Sequence, residues 1–308
     1  AGRYLPEFRE IRSRNQDFIK LCLNLELVPE ITLQPLKRFN IDAAIIFSDI
    51  LMLPYGLGQH VTFKKDFGPI LEDSRFVKED ISEDQFVKTL SPVYSSMNIL
   101  SNLLKNRNKT LIGFVGAPWT ILVYMLNKQS PKKILSKDLE NKSKKDKLIK
   151  IIINFLKIHI KEQVKAGANL IQIFDSWAGI ADDIDTKKYI YESTLELVEF
   201  TKSIDVPVIC FPREIKNYSE YIKEIKPNAI NIDYNVDIKY ISEKVQIPVQ
   251  GGLDPKFLLG DKDTLKKESI KILNNFKNHP YIFNLGHGVL PQTDPNMVDY
   301  LVKLVKDY

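Results

Sequence analysis

The sequence predicts an α/β fold of the (β/α)8 barrel type, distorted, with its first strand upstream of residue 1. Two observations carry that expectation. Seven short apolar runs alternate with segments of helical periodicity, which argues for parallel strands joined by helical crossovers. Nearly every run also stops at polar residues or glycines, as strands do at the C-terminal rim of such a sheet. Seven strands are one short of a closed eight-stranded barrel, and the missing one would be the first. A doubly wound open sheet is the alternative, but no G-x-G-x-x-G follows any strand, so dinucleotide binding lacks its main support. No internal repeat or low-complexity linker divides the chain, and residues 1–308 read as one domain.

The elements follow in order. Residues from about Pro6 to Leu25 carry helix-like apolar spacing with dense charge, and Pro29 to Phe39 reads as a second, short amphipathic helix. The first strong strand begins at Asp42 and runs through Ala43, Ala44, Ile45, Ile46 and Phe47 to Ser48 and Asp49. Its near-continuous apolar character suits a parallel strand covered on both faces. Pro54, Gly56 and Gly58 then mark a loop. A polar stretch follows, including Phe63 to Pro69 and an acidic run from Glu79 to Asp84; part of it reads as irregular surface, with a helix from about Val93 to Lys105.

The second strand is Thr110 to Gly116, and Pro118 with Thr120 opens the next helix, which carries Tyr124. Asp146 to Ala166 has helical apolar spacing closed by Gly167. Strand three, Leu170 to Phe174, ends in Asp175, Ser176 and Trp177. A helix from Thr186 to Ser203 leads to Val206–Phe211; Ala229–Asp233, Ile247–Gln250 and Tyr281–Leu285 complete the strands, with helices at Tyr218–Ile225 and Asp263–Phe276.

Composition narrows the function classes. Hydrophobic residues at 44% and charged residues at 27% are ordinary for a soluble globular enzyme with a sizeable core. No apolar stretch reaches the ~18 residues of a membrane span. Cys22 and Cys210 form neither a disulfide framework nor a C-x-x-C pair, so the chain reads as cytoplasmic. The net charge of +5 comes largely from lysines between Pro131 and Lys150, broken up by acidic residues and read as a solvated loop and helix start. A nucleic-acid role rests on that lysine excess alone. Arginine is distributed differently: four of the eight (Arg3, Arg9, Arg12, Arg14) fall in the first fourteen residues. A planar guanidinium grips carboxylates through a two-pronged fork, which points to an acidic ligand.

Collecting the polar residues that close the strands gives Asp49, Asp175, Ser176, Asp233 and His287, with Tyr124 just beyond strand two. In a barrel all of these share one rim. Each has a structural alternative; Asp49, for instance, could simply cap the following helix. His287 stands between two glycines, which leave the imidazole exposed and let backbone approach a ligand. His60, His159 and His279 read as surface or core residues. No His/Cys/carboxylate set has zinc-like spacing and no serine sits in a G-x-S-x-G elbow, so acid/base and electrostatic chemistry on an anionic substrate remains.

Six blocks at these positions, Ala1–Glu7 (AGRYLPE), Phe47–Asp49, Gly113–Thr120 (GFVGAPWT), Gln172–Gly179 (QIFDSWAG), Gly252–Pro255 and Asn284–Pro295 (NLGHGVLPQTDP), closely resemble the uroporphyrinogen decarboxylase family, in order along the chain. The resemblance implies a distorted (β/α)8 barrel, usually a homodimer, with no metal or organic cofactor. It implies removal of the four acetate carboxyl groups of uroporphyrinogen to give coproporphyrinogen, on the route to haem. It places Asp49 against the pyrrole N–H groups and Arg3 on substrate carboxylates, with Tyr124, Ser176 and His287 against acetate or propionate groups and Phe47 in the binding surface. Catalytic weight falls on Asp49, Arg3, Tyr124 and His287. Two features depart from the family pattern. An Arg–Gln pair that precedes Ala1 in the family, with the first barrel strand, lies outside this sequence, and Gly252 stands where the family commonly has Asn. Zinc-dependent methyltransferases of the same fold and non-catalytic tetrapyrrole binders are the neighbouring readings.

Overall fold

The computed structural model describes residues 2–64, 67–73, 81–105, 107–131 and 135–308. Residue 1 of the first motif, residues 65–66 of the polar stretch, residues 79–80 of the acidic run and residues 132–134 of the lysine-rich stretch lie outside them.

The chain opens with α1 (Pro6–Arg14), α2 (Phe18–Cys22) and α3 (Leu27–Arg38), where the periodicity predicts two helices. The extra break has a local cause. Asn15 leaves the helical region at φ −122°, its side-chain amide donates back to the Ile11 carbonyl at 2.8 Å, and Asp17 caps α2 by accepting from Lys20 N at 3.1 Å. Next come β1 (Ala43–Ile45) and α4 (Met52–Gly56), then an antiparallel ribbon of β2 (Val61–Lys64) and β3 (Gly68–Leu71) within the stretch expected to be irregular. Helix α5 (Glu83–Lys105) begins ten residues before the expected Val93. Pro92 marks no start: the helix continues through it because Phe86 and Leu90, both fully buried, anchor the earlier turns to the core.

The remaining elements alternate: β4 (Thr110–Gly116), α6 (Pro118–Asn127), α7 (Lys142–Lys165), β5 (Leu170–Asp175), α8 (Asp183–Asp185), a π-helical stretch at Thr186–Glu192, α9 (Ser193–Ser203), β6 (Val208–Pro212), α10 (Tyr218–Ile225), β7 (Ala229–Ile232), α11 (Ile238–Lys244), β8 (Val249–Gly251), α12 (Lys262–Asn275), β9 (Tyr281–Ile282) and α13 (Pro295–Asp307). Lys145, in the run read as solvated, is buried and bonds Asp185 at 2.6 Å and 2.7 Å.

Seven strands form one all-parallel sheet in the order β1-β4-β5-β6-β7-β8-β9, so each is paired with its neighbour in sequence, the ribbon apart. That order is the one a (β/α)8 barrel requires. Between β9 and β1 stands no described strand. There the ends of the chain meet instead: an Arg9 guanidinium nitrogen donates to the Pro291 carbonyl, and Lys306 pairs with Asp42.

Strand alternation sorts side chains into two layers. A Cβ on Gly113 would meet Gln163 of α7, Asp175 bonds Thr120 of α6, and Cys210 meets Tyr221 of α10; this parity faces the helices. The opposite parity lines the inside, where the Phe114, Phe174 and Phe211 rings pack in sequence, tilted and then edge-on, with centroids 4.7 Å and 6.3 Å apart. Continuing that parity past the strand ends brings Ser176 and Arg213 to the mouth of the barrel.

Candidate active site

Asp49 sits where the chain leaves β1 and turns into α4. Its Oδ1 accepts from Leu51 N at 3.0 Å, so part of the capping alternative holds. The other oxygen, Oδ2, faces the Arg3 guanidinium at 3.6 Å. Arg3 is brought there by the turn at Gly2–Leu5 that precedes α1, and it also reaches the Ser48 carbonyl at 3.3 Å. Its guanidinium lies over the Phe18 ring at 4.9 Å and the Phe47 ring at 5.7 Å. Two aromatic faces therefore fix a cation that remains half exposed. Phe47 is wholly buried against Phe8 and Phe18. It underlies Arg3 and presents no surface of its own to a ligand, in place of the direct contact that the sequence suggested. Burial pushes the Asp49 carboxyl above the ordinary carboxylate range, and the nearby Arg3 charge pulls it back.

Tyr124 projects from α6 one turn after Thr120, on the same face. Burial raises its phenol and the Trp177 indole opposes the shift; the Asp49 charge also reaches it, which brings Tyr124 and Asp49 into one electrostatic neighbourhood. The ring packs edge-on to Trp177, with centroids 6.1 Å apart. Trp177 is held by its backbone: its N–H donates to Thr120 Oγ1 at 3.0 Å, and its carbonyl accepts from Trp119 Nε1 at 2.8 Å. Thr120 Oγ1 in turn donates to Asp175 Oδ1 at 2.6 Å. Asp175 thus faces the helix layer, not the mouth, and burial raises its carboxyl to about 7. It anchors the loop that presents Ser176, which is partly exposed on the inner parity.

His287 is exposed in the loop after β9. The glycine before it has a packing role: a Cβ on Gly286 would stand 2.3 Å from Tyr234 N, where the loops after β7 and β9 touch. Gly252, on the neighbouring strand end, takes φ +101°, a left-handed conformation that suits glycine. Asp233, at the end of β7, is buried and accepts from Glu214 N at 2.6 Å and Tyr218 Oη at 2.8 Å. Among the described residues no cluster of three His, Cys, Asp or Glu is placed to hold a metal ion. A groove of about 670 Å³ is lined by Gly179, Thr186, Tyr191, Lys216 and Glu224, and by none of Arg3, Asp49, Tyr124, Ser176 and His287.

Arg213 escapes the sequence reading. It follows β6 by one residue, and the available signal was its being the first charged side chain after an apolar strand, as Asp49 is after β1.

The family model for uroporphyrinogen decarboxylase (URO-D) matches residues 1–308, the whole chain. The chain belongs to the uroporphyrinogen decarboxylase family. Uroporphyrinogen decarboxylase of Rickettsia bellii is 40% identical over 319 residues, covering all of this chain and 93% of that protein. That of Wolbachia pipientis wMel is 39% identical over 312 residues, covering all of this chain and 92% of that one. Among solved structures, a methyltransferase from Methanosarcina mazei superposes with TM-score 0.76 at 15% identity, over 97% of this chain and 90% of the other. A B12-independent methionine synthase from Shewanella sp. W3-18-1 gives TM-score 0.60 at 11% identity, over 92% and 87%. At those identities the likeness concerns the fold, a curled parallel sheet ringed by helices.

Proposed function

We propose that this member of the uroporphyrinogen decarboxylase family removes the four acetate carboxyl groups of uroporphyrinogen III, giving coproporphyrinogen III. The observation that carries the reading is the Arg3–Asp49 pair: a rim carboxylate 13% exposed, 3.6 Å from a guanidinium braced on two aromatic rings. Asp49 accepts pyrrole N–H groups at the centre of the macrocycle. Arg3 holds a peripheral carboxylate, and Tyr124, Ser176 and His287 contact other acetate or propionate groups.

The chemistry follows from the substrate. Protonating a ring carbon beside the acetate-bearing position makes an iminium-like cation, which draws the C–COO⁻ electron pair into the ring as CO2 leaves. A second proton on the exocyclic carbon, with loss of the first from the ring, yields the methyl group. The net change per acetate is one carboxylate and one proton converted to CO2 and a C–H bond. The ring is its own electron sink, so the reading includes no metal or organic cofactor. A low-dielectric carboxylate such as Asp49 stabilises the cation as it forms, and fixed carboxylate grips position each acetate in turn. The same reading carries a homodimer in the cytoplasm.

Anaerobic incubation with uroporphyrinogen III, followed by oxidation and separation by carboxylate number, tests it. Seven- to four-carboxylate products from the parent chain, absent with Asp49→Asn, are expected. Soluble, folded protein that yields no product contradicts the reading.

A further inference from the structure

Arg213, which the strand parity brings to the barrel mouth, has no role in the reading above. Its backbone extends the sheet: its N–H donates to the Asp175 carbonyl at 3.0 Å and its carbonyl accepts from Gly179 N at 3.1 Å. The β5–β6 pairing therefore continues past Pro212, and the side chain keeps the inner parity of Ile209 and Phe211. Below it lies the Phe174–Phe211 aromatic layer; beside it, one strand over, lies Ser176.

The guanidinium is only partly engaged. Nη2 donates to Glu214 Oε1 at 2.8 Å, Nε is 3.9 Å from Asp233 Oδ1, beyond hydrogen-bond reach, and that Nε is buried with no hydrogen-bond partner among the described residues. A buried N–H left unbonded costs stability, so it is usually found where something else completes the set. The one close partner is poorly committed. The Glu214 side chain is 55% exposed, and its backbone sits at φ +60°, a left-handed conformation that non-glycine residues adopt at a cost of about 1 kcal/mol or more. An exposed carboxylate of that kind contributes little as an ion pair and leaves easily. Asp233 is fixed by Glu214 N and Tyr218 Oη, so it stays in place as a second-rank counter-charge.

We propose that Arg213 is a further substrate-binding residue, whose guanidinium exchanges the Glu214 carboxylate for a peripheral carboxylate of the tetrapyrrole. The inference rests on the function proposed above and deepens it. Strands β1 and β6 are three spacings apart, about 14 Å along the sheet. A macrocycle centred on Asp49 therefore meets Arg213 with its rim, where its carboxylates are. Glu214 acts as a placeholder that keeps the guanidinium oriented until the ligand arrives, and Nε gains the acceptor it lacks.

The test uses the full chain with Arg213→Gln, Arg213→Lys and Glu214→Gln, each checked for folding by circular dichroism and thermal unfolding. Arg213→Gln is expected to raise KM for uroporphyrinogen III about tenfold while kcat changes less than about threefold. Arg213→Lys recovers part of that loss, since the charge returns without the fork. Glu214→Gln lowers KM, because the competing carboxylate is gone; a structural role for the pair would not produce that gain. Binding is read separately by fluorescence titration with uroporphyrin, the oxidised octacarboxylate, and is expected to weaken by a similar factor in Arg213→Gln. A folded Arg213→Gln protein that binds uroporphyrin as tightly as the parent overturns the proposal, as does a Glu214→Gln protein with raised KM. A parent chain that binds uroporphyrin through Arg213 but turns nothing over contradicts the function reading and leaves this one intact.

Discussion

Thr120 Oγ1 and Asp175 Oδ1 are joined by a 2.6 Å hydrogen bond that ties the first turn of α6 to the end of β5. The same hydroxyl accepts from Trp177 N, so one threonine fixes both the helix that carries Tyr124 and the loop that carries Ser176. Thr120→Val keeps the shape and deletes both bonds. It is expected to cost about 1–3 kcal/mol in urea unfolding, the range for leaving a buried polar partner unmet. Thr120→Ser restores most of it. An unchanged midpoint in the valine variant would remove the hydroxyl from the architecture of the rim.

Asp175 sets a slope of stability with pH. Burial raises its folded-state pKa to about 7, above an ordinary value of 3.8. Below about pH 4 it is protonated folded or unfolded and the native state carries no penalty. As pH rises towards 7 only the unfolded chain releases the proton, so stability falls, by on the order of 4 kcal/mol once pH exceeds the folded value. Asp175→Asn keeps an acceptor for Thr120 and removes the slope. Urea unfolding at several pH values between 4 and 8 should show the variant gaining on the parent as pH increases.

His159 works in the opposite direction. It is buried, bonded to Tyr94 Oη at 3.0 Å, and burial lowers its pKa to about 4 from 6.5. Its contribution is complete above pH 6.5 and is lost as pH falls towards 4, because the unfolded chain takes up the proton first. His159→Gln should therefore unfold less steeply on acidification than the parent. An imidazole that titrates near 6.5 by NMR would contradict the buried, neutral assignment.

At the mouth, Asp49→Asn preserves size and the Leu51 cap while removing the charge. Under the proposed function it lowers kcat by about 10²–10³, the range for losing one preorganised electrostatic group, with little change in thermal stability. Arg3→Lys instead raises KM, about tenfold, because an ammonium neither forks nor stacks as a guanidinium does over Phe18 and Phe47. If the two variants changed the same kinetic constant, the separation of binding from chemistry would be wrong.

Much of the sheet was legible because a parallel strand covered on both faces has to be apolar, and it has to turn polar where it emerges. Thr110–Gly116 agrees with β4 at both ends. The rim followed from the same logic, since barrel order alone gathers the ends of β1, β5, β7 and β9. Local chemistry was harder. The Asn15 back-bond that splits α1 from α2 competes with a helix that the periodicity allows. The β2–β3 ribbon has too little apolar surface to announce itself. Asp175 and Ser176 are adjacent yet face opposite layers, a distinction that parity sets and a list of polar strand ends cannot. Arg213 was hidden by Pro212, which made Phe211 look like the end of the matter.

The clasp of Arg9 to Pro291 and of Lys306 to Asp42 joins residues 282 and 264 positions apart. Contacts at such separations are late to form, since the intervening chain has to be ordered before they are rewarded. The mouth of the barrel, drawn from Arg3 at one end and His287 at the other, is accordingly an event at the close of folding. Under the proposed function, the helical signal should return first during refolding from urea and uroporphyrin binding last. A nascent chain will have carried Asp49 for most of its synthesis before the strand ends that surround it in the fold are in place.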